Sequence, residues 1–315
     1  MKRVFVTRRL PEPVEARFAR SFDTVWNVDD RKLSPADVAA ACEGMDGLVI
    51  NTSERLDAAA VAGLPVSLKA VATYSVGYEH LDLDALQARG IPVIYTPDVL
   101  SATVADDAML LMLGAARRAR EGQALIVEGR WTGWGPRQLI GTEVTGKRLG
   151  IFGMGRIGRE IARRASAFDM EIGYHNRRPL EPEAGLFFAD EAAFLARTDI
   201  LVIAAPASPE TRHWLNAERI ARLPKGALAV NIARGSLVDD EALIAAVESG
   251  HLAGAGLDVF DGEPDIHPGY LRADRIYVQP HIGSSTMETR LAMAERAITG
   301  LEALFEGRDP LNRLV

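Results

Sequence analysis

"RLGIFGMGRIGREIARRASAF", residues 148–168, decides the fold. A short apolar run, RLGIF, leads into Gly153, Gly155 and Gly158 with GxGxxG spacing, and REIARRASAF behind them carries helical periodicity. A strand, a glycine loop and a helix in that order suit a dinucleotide's pyrophosphate. Gly153 permits the tight turn, Gly155 lets the backbone approach the phosphates, and Gly158 lets helix and strand pack closely. The helix N-terminus then presents unpaired N–H groups to the negative charge. Arg156 and Ile157 stand between the glycines and are counted with them as cofactor contacts.

The next strand pattern, "MEIGYHNRR" at 170–178, ends on an unexpected residue. A carboxylate there would accept hydrogen bonds from the adenosine ribose of NAD and repel a 2′-phosphate. Asn176 occupies the place instead, followed by Arg177 and Arg178. Two guanidinium groups pair well with a phosphate of nearly two charges, so NADPH is the expected cofactor, with NADH as its alternative. Two solvated arginines in a surface turn are the rival reading. His175 lies near the expected adenosine site and is assigned no role.

Outward from this loop the chain alternates short β-branched runs with helical patterns. Before it come RVFVT, EPVEARFAR, SPADVAAACEGM, GLVIN, AAAVAGL, LKAVATYSV, LDALQARG and PVIYT; after it come DILVIAAP, ALAVNIA, GAGLDVF and RIYVQP. Such alternation predicts parallel strands joined by crossover helices. Ser34 before Pro35 marks a helix start and Gly90 a helix stop. TVADDAMLLMLGAARRAREG, residues 103–122, reads as one helix of roughly five turns, acids early and arginines late. METRLAMAERAITGLEALFEG near the end is helical again.

The predicted fold class is therefore α/β, with two doubly wound parallel-sheet domains. A Rossmann-type cofactor domain over 99–285 is inserted into a flavodoxin-like substrate domain made of 1–98 and 286–315.

Composition narrows the function. The 315 residues carry 36 basic and 43 acidic side chains, a formal charge of −7, with no dense basic run, which argues against nucleic acid as a partner. No apolar run approaches membrane-spanning length and the N-terminus does not read as a secretory signal, so a cytoplasmic protein is the simplest inference. The single cysteine, Cys42, excludes an internal disulfide and a cysteine-built metal site, and no metal is expected.

Four segments end in polar or glycine residues just past a predicted strand: VATYSVG, VNIARG, LDVFDGEP and VQPHIG. Ligands of open α/β sheets bind beyond the carboxyl ends of strands, so these tips can converge with the glycine loop. Arg234, Glu263 and His281 then form a chemical set. Reducing a keto acid needs a cation for its carboxylate, an acid to protonate the oxygen as hydride arrives, and a partner tuning that acid; Arg234, His281 and Glu263 suit these roles in turn. His80, His213, His251 and His267 are read as structural.

TYSVGYEHLD, GMGRIG, NIARGSLVD, AGLDVFDGEP and PHIGSST closely resemble, in order and spacing, the signature segments of the D-isomer-specific 2-hydroxyacid dehydrogenases. YTPDVLSATVADDAMLLMLGAARR with GRWTGW looks most like the glyoxylate/hydroxypyruvate reductase branch. The resemblance implies that Arg234 holds carboxylate and carbonyl oxygens, that the N–H groups of Val76 and Gly77 hold the carboxylate, and that His281, bonded to Glu263, is the general acid. It further implies cofactor contacts from Thr103, Pro206, Ile232, Ala233, Asp258 and Gly283, and a homodimer in which Trp134 reaches the partner's active site. The implied activity is NADPH-preferring reduction of glyoxylate and hydroxypyruvate. Bulkier keto acids and a non-catalytic nucleotide-sensing protein of the same fold are the alternatives. Tyr74 and Met287 are candidates to line the substrate pocket.

Overall fold

A computed structural model describes the backbone of residues 1–315 and the side chains of all but residue 183. The chain divides into two compact units, residues 1–100 with 284–315, and residues 101–283.

The first unit is a five-stranded, all-parallel sheet ordered β2-β1-β3-β4-β5. Its strands are β1 (Arg3–Val6), β2 (Asp23–Trp26), β3 (Gly47–Ile50), β4 (Ala70–Thr73) and β5 (Val93–Ile94). Helices α1 (Glu12–Ser21), α2 (Pro35–Ala41), α3 (Ala58–Gly63) and α4 (Leu83–Ala88) connect them, and a C-terminal helix, Met287–Phe305, packs against α1 and β4. GLVI and AVAT of the central β3 and β4 are buried throughout, as parallel strands covered on both faces must be.

Local chemistry fixes the helix ends. Ser34 Oγ accepts the Asp37 N–H while Asp37 accepts the Ser34 N–H at 3.0 Å, a capping box at the start of α2. Cys42 closes that helix and is fully buried. Strand β2 escaped the sequence reading because DTVW is four residues long, half-buried and at the sheet edge, with no sustained apolar run.

The second unit begins with α5 (Ser101–Ala116) and α6 (Ala119–Val127). Then follow β6 (Arg148–Phe152), α7 (Arg156–Ala165), β7 (Glu171–His175), β8 (Leu186–Phe187), α8 (Glu191–Ala196) and β9 (Ile200–Ile203). The rest comprises α9 (Ala217–Arg222), β10 (Ala227–Asn231), α10 (Asp240–Glu248), β11 (Leu252–Leu257), α11 (Gly269–Arg272) and β12 (Ile276–Val278). All pairings are parallel, in the order β12-β11-β10-β9-β6-β7-β8. Chain direction across the sheet reverses between β6 and β9, the switch point at which doubly wound sheets open a crevice.

Phe194, Leu201, Ile203, Leu237 and Leu243 are fully buried in this unit's core, each contributing about 1.5–3 kcal/mol over exposure. Phe152, at the tip of β6, stacks on Trp214 with ring centroids 3.7 Å apart.

The helix expected over 103–122 is two helices. Arg118 adopts a left-handed conformation, φ 54°, between α5 and α6, at a cost of about 1–2 kcal/mol. Its guanidinium closes on Glu121, and Arg120 donates to the carbonyls of Tyr270 (2.7 Å) and Leu271 (2.5 Å) on α11. These charge-assisted bonds to neighbouring main chain offset the broken helix, and a one-dimensional pattern does not display them.

Candidate active site

The carboxyl edge of the seven-stranded sheet gathers the glycine loop after β6, Asn176 after β7, Pro206 after β9, Ile232–Arg234 after β10, Asp258–Glu263 after β11 and His281–Gly283 after β12. At Gly153 the backbone takes φ 99°, and a side-chain carbon there would lie 2.5 Å from the Ala205 nitrogen, so only glycine fits. Nothing lies within 4 Å of the equivalent position on Gly155. That open ground sits at the N-terminus of the ten-residue α7, whose cap supplies no side-chain bond. An open glycine before uncapped helix N–H groups fits a dinucleotide pyrophosphate. Arg156 is exposed beside it, Ile157 half-buried and Gly158 buried against the Gly153 carbonyl.

Asn176 holds the loop in position, its Oδ1 accepting the Met154 N–H at 2.7 Å and so tying the glycine loop to the end of β7. Arg177 and Arg178 are exposed just past it. His175 is committed to packing, stacked between Phe152 and Phe194, with Nδ1 bonded to the Phe188 carbonyl.

Glu263 and His281, eighteen residues apart, meet with Oε2 and Nδ1 2.8 Å apart. The other carboxylate oxygen accepts the Phe260 N–H at 2.7 Å. Burial opposes the Glu263 charge. The hydrogen bond from His281, that ring's charge, the Phe260 N–H and Arg234 together outweigh it and hold the carboxyl below its ordinary range. An ionised Glu263 can only accept, so Nδ1 donates and Nε2 is left for other work. His281 itself has φ 55°, uncommon for a residue with a β-carbon, and its side chain is 41% exposed.

Arg234 follows β10, half-buried, with Nη1 bonded to the Ala233 carbonyl at 2.6 Å. Two residues unremarked in the sequence hold it in place. Asn231, 1% exposed, donates from Nδ2 to the Arg234 carbonyl at 2.9 Å and accepts the Ala233 N–H on Oδ1 at 3.0 Å. Gly235 lets the β10 and β11 tips touch: a side-chain carbon there would fall 1.8 Å from the Phe260 carbonyl carbon. The sequence signal for both is local: in VNIARG an asparagine and a glycine stand together at a strand end.

Asp258, 2% exposed, also works on the main chain. Its Oδ1 accepts the Ile282 N–H at 2.7 Å and its Oδ2 the Gly283 N–H at 2.8 Å, while the His281 N–H donates to its carbonyl. The segment bearing His281 is thus pinned to the β11 tip.

Ile232 and Ala233 are buried at the β10 tip, and Pro206 is exposed after β9, its carbonyl accepting the Thr211 hydroxyl. Thr103 lies in the first turn of α5. Trp131 and Trp134 project from the loop after α6, 54% and 84% exposed. In the first unit, Val76 and Gly77 form the half-buried tip after β4, where Ser75 Oγ donates to the Gly77 carbonyl. Met287 is 45% exposed, but Tyr74 is only 4% exposed and its hydroxyl donates to the Arg290 carbonyl, which removes it as a polar lining group. A cavity of about 410 Å³ lined by Leu113, Arg117, Glu143 and Phe168 lies before β6 and β7, at the opposite edge from the tips. Among the described residues, no group of three His, Cys, Asp or Glu side chains is placed to hold a metal ion, and no helix is long and apolar enough to cross a membrane.

The family model for the NAD binding domain of the D-isomer specific 2-hydroxyacid dehydrogenases matches residues 109–283. The chain is similar to the glycerate dehydrogenase of Hyphomicrobium methylovorum, 40% identical over 98% of this chain and 97% of that protein. To the glyoxylate reductase of Pyrococcus furiosus it is 38% identical over 98% and 94%. Among solved structures, a Polaromonas protein described as NAD-binding and of the same family superposes with a TM-score of 0.96 at 45% identity over the whole of both chains. The NADPH-dependent glyoxylate/hydroxypyruvate reductase of Sinorhizobium meliloti, in complex with NADP and malonate, gives 0.89 at 32% identity, covering 100% of this chain and 97% of that one.

Proposed function

Because the chain belongs to the D-isomer-specific 2-hydroxyacid dehydrogenases, in their glyoxylate reductase branch, and is an oxidoreductase of small 2-keto acids, we propose that it is an NADPH-preferring reductase of glyoxylate and hydroxypyruvate. The observation that carries the reading is the His281–Glu263 pair at 2.8 Å, at the same sheet edge as Arg234 and the open glycine loop. When bound, the cofactor supplies the hydride.

The protein's own groups do the rest. Arg234 binds the keto acid's carboxylate and polarises its carbonyl, joined by the N–H groups of Val76 and Gly77. His281, its Nδ1 committed to Glu263, delivers a proton from Nε2 to the carbonyl oxygen. Glu263 stabilises the imidazolium beforehand and keeps the ring oriented. The products are glycolate and D-glycerate. Gly153, Gly155, Arg156, Ile157 and Gly158 cradle the pyrophosphate. Thr103, Pro206, Ile232, Ala233, Asp258 and Gly283 complete the cofactor's surroundings.

NADPH preference is supported by Arg177 and Arg178, exposed directly after the strand end where an acidic residue would favour NADH. Trp134, exposed on its loop, supports a homodimer in which it reaches the partner's active site. The substrate domain comprises 1–98 and 286–315 and the cofactor domain 99–285. A kinetic grid tests the whole reading: NADPH and NADH, each against glyoxylate, hydroxypyruvate, pyruvate and a bulky aryl keto acid. The highest kcat/KM should fall on NADPH with glyoxylate or hydroxypyruvate. A maximum on the aryl acid would move the assignment to bulkier substrates, and no turnover anywhere would leave a nucleotide-binding protein.

A further inference from the structure

One half-buried acid near this edge has no part in the reaction. Asp107 lies one turn beyond Thr103 on α5, and residues four apart share a helix face. Its Oδ2 is sealed from solvent and has no hydrogen-bond partner. A side-chain carbon built on Gly283 would lie 3.5 Å from that oxygen and 3.0 Å from Asp258 Oδ2, so two carboxyl groups flank one glycine. Burial pushes Asp258 above the ordinary carboxylate range, and the two main-chain N–H groups that engage its oxygens work against that and favour charge on it. A buried carboxylate oxygen with no donor, beside a second carboxylate, is costly as an anion and much less so as an acid.

We propose that Asp107 is a positioning residue that acts through Asp258: as a neutral acid it lets Asp258 stay charged and hold Ile282 and Gly283 beside His281, and its ionisation loosens that segment. The inference rests on the reading of His281 as proton donor and Gly283 as cofactor contact, and adds a pH-sensitive support behind them. Burial first, and the Asp258 charge second, push Asp107 up to about 7.

The charged and titratable neighbours are consistent with this. From the β11 tip come Asp258 and Glu263, and from the β12 tip His281; the Glu263 charge opposes ionisation of Asp258 and the His281 charge favours it. From β10 comes Arg234, which acts on Glu263. On α7, Arg164 pairs with the exposed Asp106 of α5 and with Glu160, and so is spent on the neighbouring position. Tyr277 of β12 packs further along the helix, at Gly114. Because the folded state raises Asp107, its contribution to stability is full below the ordinary carboxylate range and is lost as pH rises through about 7.

The test compares the full chain with Asp107→Asn at about pH 5.5 and about pH 8.5, on either side of that titration. Three quantities are read: thermal midpoint, hydrogen exchange at Ile282 and Gly283, and NADPH affinity by nucleotide fluorescence. The native midpoint should fall by several degrees more than the variant's. Exchange at the two amides should be several-fold faster in the native chain than in the variant at high pH and equal at low pH, and native NADPH affinity should weaken several-fold where the variant's holds. Parallel midpoints, or equal exchange at both pH values, would overturn the proposal. If the variant does not fold, the native chain decides alone: the ratio of exchange at Ile282–Gly283 to that at Leu228–Val230 of β10, corrected for intrinsic rates, rises with pH if the proposal holds, and constancy overturns it. Failure to bind NADPH at any pH would count against the functional reading, while midpoint and exchange still decide this one.

Discussion

Glu263 reaches His281 Nδ1 with Oε2 at 2.8 Å and keeps Oε1 for the Phe260 N–H at 2.7 Å. With both oxygens engaged, the carboxylate cannot swing to follow the ring; the ring is held to the carboxylate. A hydrogen bond of this kind fixes which nitrogen faces outward, which is what a directional proton donor requires.

Replacing Glu263 with Gln tests the electrostatic half of that arrangement. Its carboxyl is held below the ordinary range, burial being outweighed by His281, the Phe260 N–H and Arg234, so it stabilises the fold above its unfolded value. That stability is lost as pH falls through the lower folded value. The native thermal midpoint should therefore drop more steeply than that of Glu263→Gln below about pH 4.5. At neutral pH kcat should fall roughly ten-fold or more, since an amide cannot stabilise the imidazolium as an anion does. Identical acid limbs in the two proteins would show that the pair contributes no such linkage.

Asn231→Ala removes two hydrogen bonds that bracket Arg234, one buried and one part-buried. Unsatisfied main-chain groups left behind should cost about 1–3 kcal/mol in denaturant unfolding. The KM for the keto acid should rise more than NADPH affinity weakens, because Arg234 is the group displaced. Equal changes in both would assign Asn231 to general stability.

Two glycine variants separate folding from cofactor binding. Gly235→Ala drives a carbon to 1.8 Å from Phe260 main chain and should cost about 3 kcal/mol or leave the protein insoluble. Gly155→Ala meets no protein atom within 4 Å and should keep the native melting temperature while NADPH affinity falls sharply. Calorimetry and nucleotide fluorescence on the pair read both; intact NADPH binding in Gly155→Ala would remove the glycine loop from the cofactor site.

The Arg177→Ala/Arg178→Ala double variant addresses nucleotide choice. Losing exposed charge-assisted bonds to a 2′-phosphate should weaken NADPH by roughly ten-fold, about 1.4 kcal/mol, and leave NADH nearly unchanged. The NADPH effect should shrink as salt rises. Equal weakening of both nucleotides would make the arginines general cofactor contacts.

The sequence was informative wherever function depends on one local run. RLGIF, the glycine loop and the following helix are contiguous, so their order alone predicts β6, the turn and α7. The tip residues Arg234, Glu263 and His281 could be gathered because parallel strands put all their carboxyl ends on one edge. What stayed hidden depends on neighbours distant in the chain. The helix break at Arg118 arises where Arg118 meets Glu121 and Arg120 meets α11 carbonyls some 150 positions on. Strands β2 and β8 are short edge strands with weak apolar patterns. Asn231 and Asp107 are ordinary letters until burial shows what their side chains face.

The central claim, that His281 delivers the proton, is tested most directly by His281→Ala measured for turnover and NADPH binding together. Turnover of glyoxylate should fall by about 10²- to 10⁴-fold, the usual contribution of a positioned general acid, while NADPH affinity stays within about two-fold of native. Retained turnover, or NADPH affinity lost in step with it, would contradict the account.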